Sequence, residues 1–131
     1  MKRIEHWVGG RSLAGASGRV GPVYDPAVGE QQAEVSLASP DELDAVVAVA
    51  VEASKSWRNS SLSKRAKTMF RFRELLHEHT DELALIAVSE HGKVLDDARG
   101  EVARGLECVE FACGIPDLLK GDLHVEVATG I

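Results

Sequence analysis

The stretch Gly100–Gly121, GEVARGLECVEFACGIPDLLKG, decides how the rest of the chain is read. At helical spacing Ala98, Val102, Leu106, Val109 and Cys113 form one apolar stripe. A second line, Asp97, Glu101, Arg104, Cys108 and Phe111, falls on roughly the opposite side and turns apolar toward its C-terminal end. A helix apolar on two sides wants packing partners on both. The remaining residues can cover one of them. The expectation is therefore that much of what covers the other side is missing, because the chain ends too soon.

Upstream of that helix the pattern is strands first and helices after. His6–Val8 is a short strand candidate closed by Gly9 and Gly10. RSLAGASGRVG (11–21) is a turn-rich loop with Gly15, Gly18 and Gly21 spaced by threes. A phosphate-cradling loop would need a helix N-terminus behind it. Here Pro22 and a second strand, Val20–Tyr24, follow, so the loop reads as a hairpin connection. DPAVGE (25–30) is a tight turn, and Ala33, Val35 and Leu37 alternate with polar residues as in a half-buried strand. Together these segments make a small antiparallel meander, too small to stand alone.

Ser39-Pro40-Asp41-Glu42 carries a capping box with proline at the first helical position. It starts a helix that runs to about Trp57, with Leu43, Val46, Val47, Ala50 and Trp57 as its buried face. A second helix runs from about Ser63 to His79. It places Leu62, Ala66, Met69, Phe72 and Leu76 on one face, and Lys64, Arg65, Lys67, Arg71 and Arg73 on a solvated cationic one. A third helix restarts at Thr80 with acidic residues in its first turn, places Leu83, Ile86, Ala87 and Glu90 on one side, and ends at Gly92. The fourth spans about Val94 to Cys113, stopped by Gly114 and Pro116. His124–Val127 begins a further strand. The expected division is a β-rich segment 1–38, a helical segment 39–121 and the start of a strand over 122–131.

The 131 residues carry a net charge of −6, which argues against nucleic-acid binding, since that needs a basic patch. No apolar run approaches the roughly 20 residues that span a bilayer. No secretory or transit pattern opens the chain. The default expectation is a cytoplasmic protein that meets neither membrane nor nucleic acid. The two cysteines, Cys108 and Cys113, fit a reducing compartment and read as packing residues, because a thiolate is disfavoured among apolar neighbours. His77 and His79 are two apart and cannot share a metal from one helix, and His91 completes no ligand set, so no metal site is expected. Asp96-Asp97 and Glu107/Glu110 read as solvated or ion-paired carboxylates. Arg104 has two readings. It is either half of a helix-surface ion pair with Glu101, or a guanidinium fork aimed into a cleft to hold a carboxylate or phosphate.

HWVGG (6–10), DPAVGE (25–30), SPDELDAVVAVAVEA (39–53) ending in Trp57, the Arg65 helix with FRELL (72–76) and EHGK (90–93) occur in an order and spacing that resembles the N-terminal quarter of aldehyde dehydrogenases. GEVARGLECVEFACGIPDLLKG is similar to the methylmalonate-semialdehyde dehydrogenase branch, the CoA-acylating members of that family. The resemblance covers nearly all of the chain. It implies an α/β fold of which only the N-terminal part is present, small antiparallel strands followed by three to four helices. It also implies an enzyme about four times this length that oxidises methylmalonate or malonate semialdehyde with NAD and passes the acyl group to CoA. Decarboxylation accompanies the reaction, which belongs to valine and pyrimidine catabolism or inositol breakdown. In that family the catalytic cysteine, the oxyanion-hole asparagine and the glycine-containing NAD loop lie beyond Ile131. Cys108 and Cys113 do not match the nucleophile's motif, so no catalytic, cofactor-binding or metal residue is expected here. The family arginine of GEV-x-RG falls on Arg104, which the resemblance marks as substrate-binding. NAD, CoA, a small semialdehyde and a homo-oligomer are expected of the intact enzyme, and no cofactor of this chain alone. The alternative is a free-standing, non-catalytic helical module that kept the scaffold for assembly or partner binding. Coding sequence immediately downstream separates the two.

Overall fold

The computed structural model describes residues 1–122. The expected strand at His124–Val127 lies outside the described residues.

Five short strands come first: β1 (Lys2–Ile4), β2 (His6–Val8), β3 (Arg11–Leu13), β4 (Val20–Asp25) and β5 (Glu30–Ser36). They do not form one meander. β4 and β5 pair antiparallel, as their hairpin turn dictates, with a register shift between Val23 and Tyr24. β1, which the alternation rule passes over because it is only three residues long, adds to the other edge of β5 in parallel, with Ile4 opposite Val35. β2 and β3 stand apart as a separate hairpin. Its turn uses Gly9 and Gly10 at φ 60° and 79°, the left-handed region that side chains avoid. Part of the glycine-rich segment is thus strand β3, and residues 14–19 are the true loop.

Four long helices follow, and then a single turn: α1 (Pro40–Arg58), α2 (Leu62–Glu78), α3 (Thr80–His91), α4 (Leu95–Cys113) and α5 (Ile115–Leu118). The capping box of α1 forms as expected. The Ser39 hydroxyl accepts from the Glu42 N–H, and the Glu42 carboxylate accepts from the Ser39 N–H at 2.8 Å. Ser61 caps α2 with its hydroxyl alone, which accepts from the Lys64 N–H at 3.2 Å. Gly92 ends α3 at φ 76°, its N–H donating to the Val88 carbonyl at 2.8 Å. A second constraint acts there: a Cβ on Gly92 would sit 2.9 Å from Pro26 in the β4–β5 turn. The end of α3 thus packs against that turn only because no side chain stands between them.

The core lies among α2, α3 and α4. Ala84 and Ala98 are fully enclosed, and Ala66 and Cys113 are nearly so. Small residues at the crossings let the helices approach closely. The seams are flanked by ion pairs between elements: Arg73 of α2 to Glu110 of α4 at 2.7 Å, Arg99 of α4 to Asp81 of α3 at 2.8 Å, and Lys93 to Glu101. Arg73 therefore belongs to the α2–α4 seam and not to a solvated cationic face. Phe72 turns outward, while the α2 contact is carried by Ala66, Met69 and Leu76. On α3 the covered side is Leu83, Ala84, Ala87 and Val88, and Ile86 is exposed.

α1 differs. It has no buried residue, and Leu43, Val47 and Trp57 of its expected buried face are about half exposed. The helix is amphipathic as read, but among the described residues that face is only partly covered, Val46 being half-buried. Its far end is held by Arg65, whose guanidinium lies 6.0 Å from the Trp57 ring and donates to the Arg58 carbonyl at 2.6 Å.

Candidate functional site

The stripe Ala98, Val102, Leu106, Val109 and Cys113 faces the other helices, from partly covered to buried. The opposite line, Asp97, Glu101, Arg104, Cys108 and Phe111, is exposed throughout, and Phe111 is 71% exposed. The two-sided reading of α4 therefore holds in position, with one side packed and the other open. Cys108 lies on the open side, not in packing as expected, because its angular position follows Arg104 and not the stripe. Cys113 is buried.

Arg104 stands at the middle of this open side. Long helical side chains lean toward the N-terminal turn. The Arg104 guanidinium accordingly lies over Gly100, 3.7 Å from where a Cβ would be. Its expected partner, Glu101, is engaged by Lys93 instead. The Lys93 ammonium is the main cause holding the Glu101 carboxyl below its ordinary value, and Arg104 is the least of the contributors. The local ion-pair reading of Arg104 thus loses its acceptor, and among the described residues Arg104 forms no salt bridge. What remains is a fork of donors on an open helix face, one turn from Cys108 and two from Phe111, able to take a planar anion from outside.

Two adjacent amides of the glycine-rich loop are engaged by carboxylates. The Gly15 N–H donates to the Glu5 carboxylate at 3.0 Å and the Ala16 N–H to Glu42 at 2.5 Å. Ser36 also donates to Glu5, at 2.9 Å. A Cβ on Gly15 would lie 2.9 Å from Ser36 and 3.3 Å from Nε2 of His6, so glycine is needed there for close approach. The amides that a phosphate would want are taken by two carboxylates of this chain. The same bonds hold both carboxyls below their usual range, Glu5 chiefly through Gly15 and Glu42 chiefly through Ser39. The Ser39/Glu42 spacing signals the cap. Nothing in sequence signals that Glu42 also clasps a loop 26 residues upstream.

His79 bonds Glu82 within α3 at 2.8 Å. Among the described residues no group of three or more His, Cys, Asp or Glu could hold a metal ion, and no helix is long and apolar enough to cross a membrane. Between the β2–β3 hairpin and α1 lies an open apolar groove of about 340 Å³, walled by Trp7, Val8 and Leu13 on one side and Leu43, Val46 and Val49 on the other.

Comparison with known proteins places these features. Residues 13–130 match the model of the "Aldehyde dehydrogenase family". Malonate-semialdehyde dehydrogenase 2 of Geobacillus thermodenitrificans is 48% identical over 130 residues, which make up 99% of this chain and 27% of that relative. Methylmalonate-semialdehyde dehydrogenase of Oceanimonas doudoroffii superposes with a TM-score of 0.85 at 41% identity, over 99% of this chain and 26% of the other. A Sinorhizobium meliloti 1021 protein described as a methylmalonate-semialdehyde dehydrogenase, crystallised with NAD, gives 0.86 at 40% identity, over 98% and 26%. The chain thus spans about a quarter of the length of these proteins and matches their N-terminal part.

Proposed function

Because this chain belongs to the aldehyde dehydrogenase family, we propose that it is the N-terminal portion of an NAD-dependent, CoA-acylating malonate/methylmalonate-semialdehyde dehydrogenase. The overall reaction joins semialdehyde, CoA and NAD to give an acyl-CoA, CO2 and NADH. In valine breakdown the semialdehyde is the methylmalonate form. The single observation that carries this reading is the 48% identity over almost the whole chain to a malonate-semialdehyde dehydrogenase. The NAD and CoA sites belong to the downstream part, in keeping with the Gly15 and Ala16 amides being engaged by Glu5 and Glu42. The nucleophile belongs there too, and the chain alone turns over nothing. The intact protein is a cytoplasmic homo-oligomer.

Arg104 is the substrate-binding residue of this portion. Both semialdehydes carry a free carboxylate, and a guanidinium fork with no competing acid beside it suits that group. Its place on the open side of α4 lets a substrate held by downstream residues reach it.

The test is a single polypeptide joining residues 1–131 to the downstream part of the Geobacillus thermodenitrificans relative. The joined protein is expected to produce NADH from malonate semialdehyde and CoA, whereas residues 1–131 alone do not. In it, Arg104→Ala lowers kcat/KM for malonate semialdehyde by roughly 10- to 100-fold, as for loss of a charge-assisted hydrogen bond. A simple aldehyde without a carboxylate is affected far less. Turnover by residues 1–131 alone, or an inactive joined protein that is nonetheless folded, overturns the assignment. Equal losses for both aldehydes reduce Arg104 to a structural residue.

A further inference from the structure

Lys93 sits in the short link between α3 and α4, and the backbone on both sides of it is fixed. Gly92 closes α3 in the left-handed region and lies against Pro26, and the Val94 carbonyl accepts from the Ala98 N–H at 3.2 Å to start α4. The Lys93 side chain is only 15% exposed, and its ammonium donates to the Glu101 carboxylate eight residues on. A largely covered ammonium cannot fall back on water, so it holds its carboxylate more firmly than an exposed cation does. The rival pair is of the exposed kind. Glu101 and Arg104 both face solvent, three apart on α4, a spacing whose ion pairs are weak in water. One carboxylate thus has two cations within reach, and the covered one takes it. The Arg104 guanidinium lies over Gly100 instead, where no side chain occupies the helix surface. Glu107, three residues the other way, is not its rival, because the arginine leans toward the N-terminal turn.

Resting on the functional reading above, we infer that Lys93 is a positioning residue: by engaging Glu101 it keeps the Arg104 guanidinium free for the carboxylate of a semialdehyde, and so sets the preference for carboxylated over simple aldehydes. Two effects carry this. Without the Lys93 charge, the Glu101 carboxylate competes with substrate for the guanidinium. It also stands, uncompensated, beside the place where the substrate carboxylate binds, and repels it. Both effects raise KM for an acidic aldehyde, and neither acts on a neutral one.

The experiment uses the joined polypeptide described above and compares malonate semialdehyde with propanal. Lys93→Met keeps an unbranched side chain and removes the charge. It is expected to raise KM for malonate semialdehyde by about three- to tenfold with kcat little changed, and to leave kcat/KM for propanal within about twofold. Adding Glu101→Gln removes the rival acid, and the double variant is expected to return to within about twofold of the parent. Lys93→Arg keeps the charged pair and is expected to stay within about twofold as well. Lys93→Gln is the second variant should Lys93→Met fail to fold. Its amide still donates to Glu101 but cancels none of its charge, so the same rise in KM is expected. Equal losses on both aldehydes, an unchanged KM in the folded charge-removing variants, or a double variant no better than Lys93→Met make Lys93 a structural tie and overturn the inference. Arg104→Ala, measured alongside, separates the two readings. If it loses malonate semialdehyde selectively while the Lys93 variants do not, the inference fails and the functional reading stands. If it affects both aldehydes equally, the substrate-binding role of Arg104 falls, and the role of Lys93 with it.

Discussion

α4 and α1 are both 19 residues long and both amphipathic, yet they end in different situations. α4 has Ala98 fully enclosed, Cys113 buried and ion pairs to both neighbouring helices. α1 has no buried residue, and among the described residues its side-chain ties to other segments lie near its ends, Glu42 to the loop and Trp57 beside Arg65. An apolar stripe records that a helix expects a partner. It does not record whether that partner lies within the same 131 residues.

The comparison can be broken by substitutions of matched kind in the two helices. The largest effect is expected at the α3–α4 crossing. Ala98→Leu overfills a site with no free space and should cost about 1–3 kcal/mol or more, measured as a drop in the urea midpoint. A midpoint unchanged by Ala98→Leu would mean that this seam is not tightly packed.

Acid comes next. Glu5 and Glu42 have carboxyls held below their ordinary value by the bonds that tie the loop to β5 and α1. A lowered folded-state pKa contributes stability that is present above the unfolded value near 4.5 and is lost as pH falls through the folded one. The contacts of the 14–19 loop with Glu5 and the start of α1 should therefore loosen below about pH 4.5. Both tryptophans, Trp7 on β2 and Trp57 near the end of α1, lie outside the α2–α4 core, so their fluorescence should change before the helical circular dichroism of α2–α4 does. Coincident transitions would show that the two regions open as one.

The smallest effect is expected on α1. Val47→Ala removes a side chain that is 51% exposed and substitutes a better helix former, so stability should stay within about 0.5 kcal/mol of the parent chain. A loss comparable to that of Ala98→Leu would show that α1 has a packing partner after all.

The helices were legible because their signals are local. The Ser39–Glu42 box, Pro40, and Gly92 followed by a restart each act within one turn, and all four long helices lie close to their expected bounds. What was not legible depends on contacts distant in sequence. β1 is three residues long and becomes a strand only because β5 offers it an edge. Arg73 leaves the cationic face because Glu110, 37 residues later, waits across the α2–α4 seam. Glu101 could not be assigned between Arg104 and Lys93 from spacing, since both are within reach on or beside one helix, and the choice of Lys93 is what leaves Arg104 without an acid. Cys108 was misplaced by treating a whole helix end as apolar, when its angular position already put it in line with Arg104.

The most direct test of the open-surface account is amide hydrogen exchange resolved along the chain, with residues 1–131 alone and then within the joined dehydrogenase. Alone, α1 amides should exchange well ahead of those in α4. In the joined protein, α1 protection should rise to the level of α4. Equal protection of α1 in both settings, already matching α4 in residues 1–131 alone, would contradict the reading of α1 as a helix whose apolar face is open.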